Sequence, residues 1–328
     1  MIGRIIGQMR LLHLVNRRFF RFFRYLTPRV LWETGRRTGE QRLMGLASEI
    51  AYNAMFALFP SILAVFTAIG LFDPLTTRFE RMVERVSEVV PLEVFRLVNN
   101  FAEELSNSSN GGLFSLSFFL AIWISSGAVG SAMRAMDQIH QVPRRRRRPF
   151  WKAKLISIGL TLGAIALLIL ASFLIFLSDI LLGILIDQAA QRSSILEQAL
   201  LTVAQYLSFP LALCTMSVAF AVLYRFGPSR WNPGKPILPG AMLAAISWAV
   251  ISGLFRLYVI RFGNYNRVYG AVGAVIVLLL WLYLSSLVML IGDQLNVVVG
   301  EAMQQAKSDR RELKGKKGKG SIEKGEEH

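Results

Sequence analysis

The stretch ASEIAYNAMFALFPSILAVFTAIGLF (residues 47–72) decides the fold class. From Ile50 to Phe72 it runs 23 residues without a charge. At about 1.5 Å per residue, a helix of that length crosses the ~30 Å hydrocarbon core of a bilayer. Glu49, Asn53 and Pro60 interrupt the apolar pattern. Together with Phe56 they are spaced i, i+4, i+7, i+11 and share one helical face. Lipid does not tolerate such a face cheaply, so it is expected to point into protein or a wet cavity.

Five more uncharged runs follow, at 105–133, 155–178, 198–224, 236–255 and 268–292, each long enough to span. In the second, the spanning part is expected to begin near Leu113, because SNSSNGG at 106–112 reads as a loop. The third is followed by Asp179 and ILLGILI, which reads either as a longer helix or as a segment along the interface. The 328 residues are 53% hydrophobic with a net charge of +16, and blocking the apolar residues into long runs makes the class membrane rather than globular. The expected fold is an all-α polytopic membrane protein with six transmembrane helices plus interfacial amphipathic helices. It divides into a basic N-terminal region (1–46), a six-helix membrane domain (47–299) and a charged tail (300–328) whose composition reads as disordered.

Lys and Arg set the orientation. There are ten in 1–46, eight in 134–154 and eight in 300–328, against four in 73–112 (with seven Asp and Glu), one in 179–197, three in 225–237 and two in 261–267. The alternation places both termini in the cytoplasm at every step. RRRRR at 144–148 then reads as a topology anchor before it reads as an RNA-binding run. In RRFFRFFRYL, Arg17, Arg18, Arg21 and Arg24 oppose Phe19, Phe20, Phe22, Phe23 and Leu26, the pattern of an in-plane helix on anionic lipid. Thr27-Pro28 breaks or restarts that helix. In 73–104, apolar residues at helical spacing on both sides of Pro91 read as two short surface helices. No cleavable signal peptide is expected, since the first apolar run is too long and begins too late.

Enzyme chemistry finds little support. His13, His140 and His328 make no metal-ligand spacing, and no nucleophile-elbow, Walker or dinucleotide fingerprint occurs. No metal, cofactor or nucleic-acid partner is expected. The lone cysteine, Cys214, lies in an apolar run and reads as a buried small hydrophobe. With the inferred orientation, Glu49, Arg134, Asp137, Asp293 and Asn296 reach similar depth toward the cytoplasm, with Gln294 among them. That level is either an inner gate or headgroup site, or a structural ion-pair layer. Pro60 and Pro210, each after a Phe and 150 residues apart, open two sets of three spans and suggest an inverted repeat with kinked, cavity-lining helices. Ser125, Ser126, Gly127 and Gly130 permit close helix approach. Phe255, Tyr258, Phe262, Tyr265 and Tyr269 form an aromatic series at the outer surface, either an interfacial belt or a place for acyl chains.

These residues carry a resemblance. Ala47, Ala51, Tyr52 and Pro60, the segment ending at Asp137-Gln-Ile-His140, Leu-Tyr-Arg-Phe at 223–226 with Pro228, Leu238-Pro-Gly240, the aromatic series with Gly270, Trp281-x-Tyr283 and Ile291-Gly292-x-x-Leu295-Asn296 resemble the YihY/BrkB family of bacterial inner-membrane proteins, once labelled ribonuclease BN. The likeness covers about residues 40–300. Where the family often reads Gly-Ala-Glu, this chain reads Gly292-Asp293-Gln294, a carboxylate one position earlier and about 100° round the helix. The resemblance implies six membrane helices and a role in envelope biology or transport. The leading expectation is a bacterial inner-membrane transporter or flippase-like protein for a lipid or other amphiphile, with anionic membrane lipids as partners. A non-transporting envelope assembly factor is the first alternative and a ribonuclease the second.

Overall fold

The computed structural model describes the backbone at residues 22–70, 111–190, 194–230, 237–261 and 265–323, and side chains at 22–58, 119–170, 210–230, 237–259, 272–273 and 275–309. The Arg17–Arg21 part of the basic arc, the two helices expected in 73–104 and Phe262 lie outside the described residues. So do the side chains of Pro60, Tyr265 and Tyr269. All regular structure among the described residues is helical: α1 (Pro28–Glu40), α2 (Leu43–Gly70), α3 (Gly111–Ile139), a 3₁₀ turn (Arg144–Arg146), α4 (Phe150–Ala190), α5 (Ser194–Phe226), α6 (Leu238–Arg261) and α7 (Tyr265–Glu323).

The described part of each uncharged run lies almost wholly in one of α2 to α7. Among the described residues, four stretches are long and apolar enough to cross a membrane: Phe119–Ile139, Phe150–Leu170, Leu238–Val259 and Val275–Asp309. Leu43–Leu58 and Pro210–Phe226, in α2 and α5, are shorter apolar helices among the described residues. The loop read before Leu113 ends earlier than expected, with helix from Gly111. Asp179 does not interrupt α4, which continues to Ala190, so the segment after it extends the helix.

The tail corrects the sequence reading. Composition predicts disorder after residue 300, but α7 continues to Glu323. Residues 300–323 are rich in Glu, Lys, Gln and Arg, all good helix formers. Extending a helix that already exists adds one hydrogen bond per residue without a new nucleation cost.

Helix α1 starts where Pro28 occupies the first turn, after an extended Thr27. Val30, Thr34 and Thr38, four residues apart, form its buried stripe. Thr34 and Thr38 each donate to the carbonyl four residues back, at 2.8 Å, which spares them a buried unpaired hydroxyl. Val30 and Phe22 pack on Leu295, Val298 and Val299 of α7. Phe22 is therefore a core residue, completely buried, although its place on the apolar arc opposite the arginines assigns it to lipid. Arg42, with φ 55°, turns the chain from α1 into α2.

The main core joins Leu43, Ala47 and Ile50 of α2, Ala132, Ala135, Met136 and Ile139 of α3, Phe220 and Tyr224 of α5, Ala241, Ala244 and Ala245 of α6, and Met289, Leu290 and Val297 of α7. They lie at the starts of α2 and α6, the ends of α3 and α5 and the middle of α7, and together form one end of the bundle. Away from that end, Leu254, Leu257 and Val272 are about 60% exposed, at 61, 60 and 61%. Cys214 is exposed as well, which corrects its reading as a buried residue. On an apolar helix such as α5, hydropathy does not say which side faces the core.

Candidate functional site

The packed end of the bundle centres on α7. Residues 292–300 are buried without exception, yet three are polar: Asp293 (1% exposed), Gln294 (0%) and Asn296 (3%). Asp293 Oδ2, Asn296 Oδ1 and both ends of the Gln294 amide find no hydrogen-bond partner among the described residues. A buried polar atom left in that state costs about 1–3 kcal/mol, so native structures seldom hold one without a reason.

Asp293 faces His140, whose Nε2 lies 3.2 Å from Oδ1; both side chains are nearly completely buried. The end of α3 explains why His140 is there. Gln141 takes a left-handed conformation (φ 51°). The Gln141 N–H bonds the Gln138 carbonyl at 3.0 Å and the Val142 N–H bonds that of Asp137 at 2.9 Å. That pair of bonds is a Schellman stop, followed at once by Pro143. It fixes His140 as the capping residue with its ring turned to α7.

The other walls come from α5 and α6. Tyr224, fully buried, donates to the Met289 carbonyl at 2.7 Å. A methyl group added at Gly292 would sit 2.5 Å from the Tyr224 oxygen and 2.6 Å from Ala244 Cβ. Only glycine therefore lets α5, α6 and α7 meet at this point. At Gly240 an added Cβ would overlap the Asn296 amide, whose Nδ2 donates to the Ile237 carbonyl at 3.4 Å. Asn296 thus tethers the start of α6 to α7.

Asp137 belongs to a separate clamp. Its carboxylate accepts from the Ser229 backbone N–H at 2.5 Å and the Ser229 hydroxyl at 2.7 Å. Arg148 donates to the carbonyls of Phe226, Gly227 and Pro228 at 2.9, 2.9 and 2.7 Å. A cation on the last carbonyls of a helix satisfies its unpaired acceptors and its dipole. Burial lowers the Arg148 pKa from its usual value, and the nearby Asp137 charge opposes that shift.

The charge layer expected at one depth is thus three separate contacts. Arg134 pairs with Glu49 at 2.8 Å, on the open surface of α2 and α3, with side chains 61% and 46% exposed. Arg134 also donates to Ser131. Asn53 is half-buried and donates to the Glu49 carbonyl of its own helix. Tyr52 and Phe56 beside it are 59% and 60% exposed. The face carrying Glu49, Asn53 and Phe56 is therefore outward, not toward the interior as the sequence predicts. The buried face of α2 carries Ala47, Ile50, Ala51 and Ala57 instead, and Ser125 of α3 donates to the Ala57 carbonyl at 3.4 Å. Gly127 and Gly130 make no such approach, with nothing nearer an added Cβ than the Arg134 side chain at 3.8 Å. Pro210 is exposed, and α5 runs through it. Phe255 and Tyr258 stack at 6.1 Å and line an apolar groove with Ile251, Leu254, Leu280 and Leu284.

Sequence reasoning missed His140, Tyr224, Gly240 and Gly292 as site residues, although each stands in a motif of the resemblance. It also missed Lys154, which donates to the Trp123 carbonyl at 2.7 Å and Ser126 at 2.6 Å and lies over the Trp123 ring. Among the described residues no group of three or more His, Cys, Asp or Glu gathers as metal ligands.

The pattern of the virulence factor BrkB family matches residues 34–317. A Bacillus subtilis (strain 168) protein named as ribonuclease-like, YfkH, is 28% identical over 254 residues, 77% of this chain and 88% of that one. A UPF0761 membrane protein of Tolumonas auensis is 28% identical over 298 residues, 90% of this chain and 89% of its own. One from Xanthomonas axonopodis pv. citri is 28% identical over 279 residues, 81% of this chain and 59% of its own. No solved structure matches. The long apolar helices and the match over most of the chain agree: this chain belongs to the virulence factor BrkB family of membrane proteins.

Proposed function

We propose that the chain spans the bacterial inner membrane six times, with both termini in the cytoplasm, and moves a lipid or another amphiphile between leaflets. The observation that carries this reading is the Glu49–Arg134 pair. It sits on the outward surface of two apolar helices beside exposed Tyr52 and Phe56. In the orientation above the pair lies toward the cytoplasmic boundary, the depth at which an outward charge can meet lipid headgroups. An outward pair with rings beside it suits a molecule with a charged head and an apolar tail. The basic inner loops favour an anionic headgroup.

The test uses the full-length protein in phosphatidylcholine vesicles carrying a trace of fluorescent phosphatidylglycerol, with outer-leaflet fluorescence quenched by dithionite. Wild type should expose inner-leaflet lipid to the quencher, and Arg134→Gln should slow this at equal protein content. A wild type no faster than empty vesicles sinks the transport reading. Full speed in Arg134→Gln leaves the pair as a tie between α2 and α3, the role it would have in an envelope assembly factor. Reporter fusions in 134–154 check the topology, and an external location there overturns it.

A further inference from the structure

We propose that Asp293 and His140 form a proton-binding site, and that the proton it takes up and releases is the ion coupled to transport. The existence of the site stands on geometry alone; its use rests on the transport reading above.

The pair is 3.2 Å apart, its side chains 1% and 4% exposed, and it joins the cap of α3 to α7 at the end of the uncharged run 268–292. With one proton on the ring, carboxylate and imidazolium sum to zero charge. Release of that proton leaves a lone carboxylate inside the bundle, at net −1. One oxygen of that carboxylate, Oδ2, has no partner among the described residues. Unpaired buried charge is costly enough to bias a helix bundle toward an arrangement that admits water or a counter-charge. Intramembrane chains of Asp and His are the usual means of proton relay.

His140 is the cationic partner of Asp293 among the described contacts. Tyr224 of α5 gives its hydroxyl to the Met289 carbonyl. In the core cluster that holds Met289 and Leu290 of α7, Ala241 and Ala244 of α6 and Leu43, Ala47 and Ile50 of α2 bring no charge. Asp137 of α3 is held by Ser229, and Arg148 serves three carbonyls. Arg134 pairs with Glu49, and Arg37 of α1 with Glu33 and Glu301. Asn296, one turn along α7 from Asp293, and Gln294 beside it add unpartnered amide atoms to the same buried layer. Such atoms suit ordered water on a proton path.

Two measurements separate the site from its use. In the first, ¹⁵N-histidine protein in lipid nanodiscs is followed by NMR, with the His140 ring assigned from His140→Gln. The His140 ring should take up and release a proton as pH is varied, and Asp293→Asn should alter that behaviour. A His140 signal that never changes, or one indifferent to Asp293→Asn, overturns the site. In the second, the vesicle assay is run with an imposed gradient of about one pH unit. One proton coupled to each lipid sustains up to about a tenfold leaflet ratio, and Asp293→Asn should abolish the response to the gradient. Lipid movement that ignores the gradient in wild type overturns the coupling. A wild type that moves no lipid under any condition overturns the transport reading, and the NMR result still decides the site.

Discussion

Gly292→Ala is expected to loosen the bundle at its tightest point. The new Cβ would lie 2.6 Å from Ala244 Cβ and 2.5 Å from the Tyr224 oxygen. Carbon atoms at rest lie about 3.5–4.0 Å apart, so α6 and α7 must separate by about 1 Å. Neither neighbour yields easily. Ala244 Cβ moves only with its helix, and Tyr224 is fully buried with its hydroxyl bound to the Met289 carbonyl. Overpacking of this kind costs about 1–3 kcal/mol, and losing the tyrosine bond adds about 1 kcal/mol. The gain in helix propensity from Gly to Ala, about 0.5–1 kcal/mol, offsets part of that. The net loss should be about 2 kcal/mol. Gly253→Ala supplies the control. It is the same substitution on α6 with nothing within 4 Å of the new Cβ, so only the propensity gain remains. Thermal unfolding in detergent micelles, followed by tryptophan fluorescence, should rank Gly253→Ala at or above wild type and Gly292→Ala well below. Ala244→Gly in the Gly292→Ala background should recover part of the loss. Equal midpoints for the two glycine variants would refute the close approach of α5, α6 and α7 at this layer.

Arg148→Ala should cost about 2–3 kcal/mol, because the last carbonyl of α5 and the two that follow it lose a charged donor together. Arg148→Lys should recover only part of it, since one ammonium cannot reproduce a planar fork. Unfolding midpoints and protease cutting near Ser229 test both, and an unaltered Arg148→Ala would refute the clamp. In α1, hydrogen bonds from Arg36 and Arg37 hold the Glu33 carboxyl at about 2. Its folded value is depressed, so its contribution is full above the ordinary value of 4.5 and fades as pH falls from there through about 2. Trp32, exposed and near Arg36, should report a change in that acid window that Glu33→Gln removes. A pH response identical in Glu33→Gln would refute the assignment.

The apolar runs were legible because each is a property of one helix, and uncharged length alone marks it. The faces were not. Helices α4 to α6 are apolar nearly all round, so no polar stripe points away from the core. On α2 the polar spacing of Glu49, Asn53 and Phe56 suggested an interior face. The small residues Ala47, Ala51 and Ala57 were the better guide, because backbones approach where side chains are short. His140 was passed over for lack of a second histidine at ligand spacing. Its partner is a carboxylate 153 residues away, and no local pattern encodes such a pair. The Gly-Asp-Gln departure at 292–294 was visible, but not that both Asp293 and Gln294 would be buried.

Segments far apart in the chain, 137–140, 223–226, 238–240 and 291–296, meet at this one layer, and α3 links it to the outer surface. Arg134 is on the open side of α3, Asp137 is buried in the clamp, and His140 caps the helix against Asp293. Six residues of helix separate Arg134 from His140, about 9 Å at 1.5 Å each. The Schellman stop and the Asp137–Ser229 bonds stiffen that end, so it moves as a unit if it moves at all. A rigid-body shift of this helix end would alter the Arg134–Glu49 and His140–Asp293 contacts together, whereas rotation of the Arg134 side chain alone would not. On the proposed reading, the charged surface and the buried pair would respond together to such a shift, through one helix end. An isolated ion pair in either place would have no such connection.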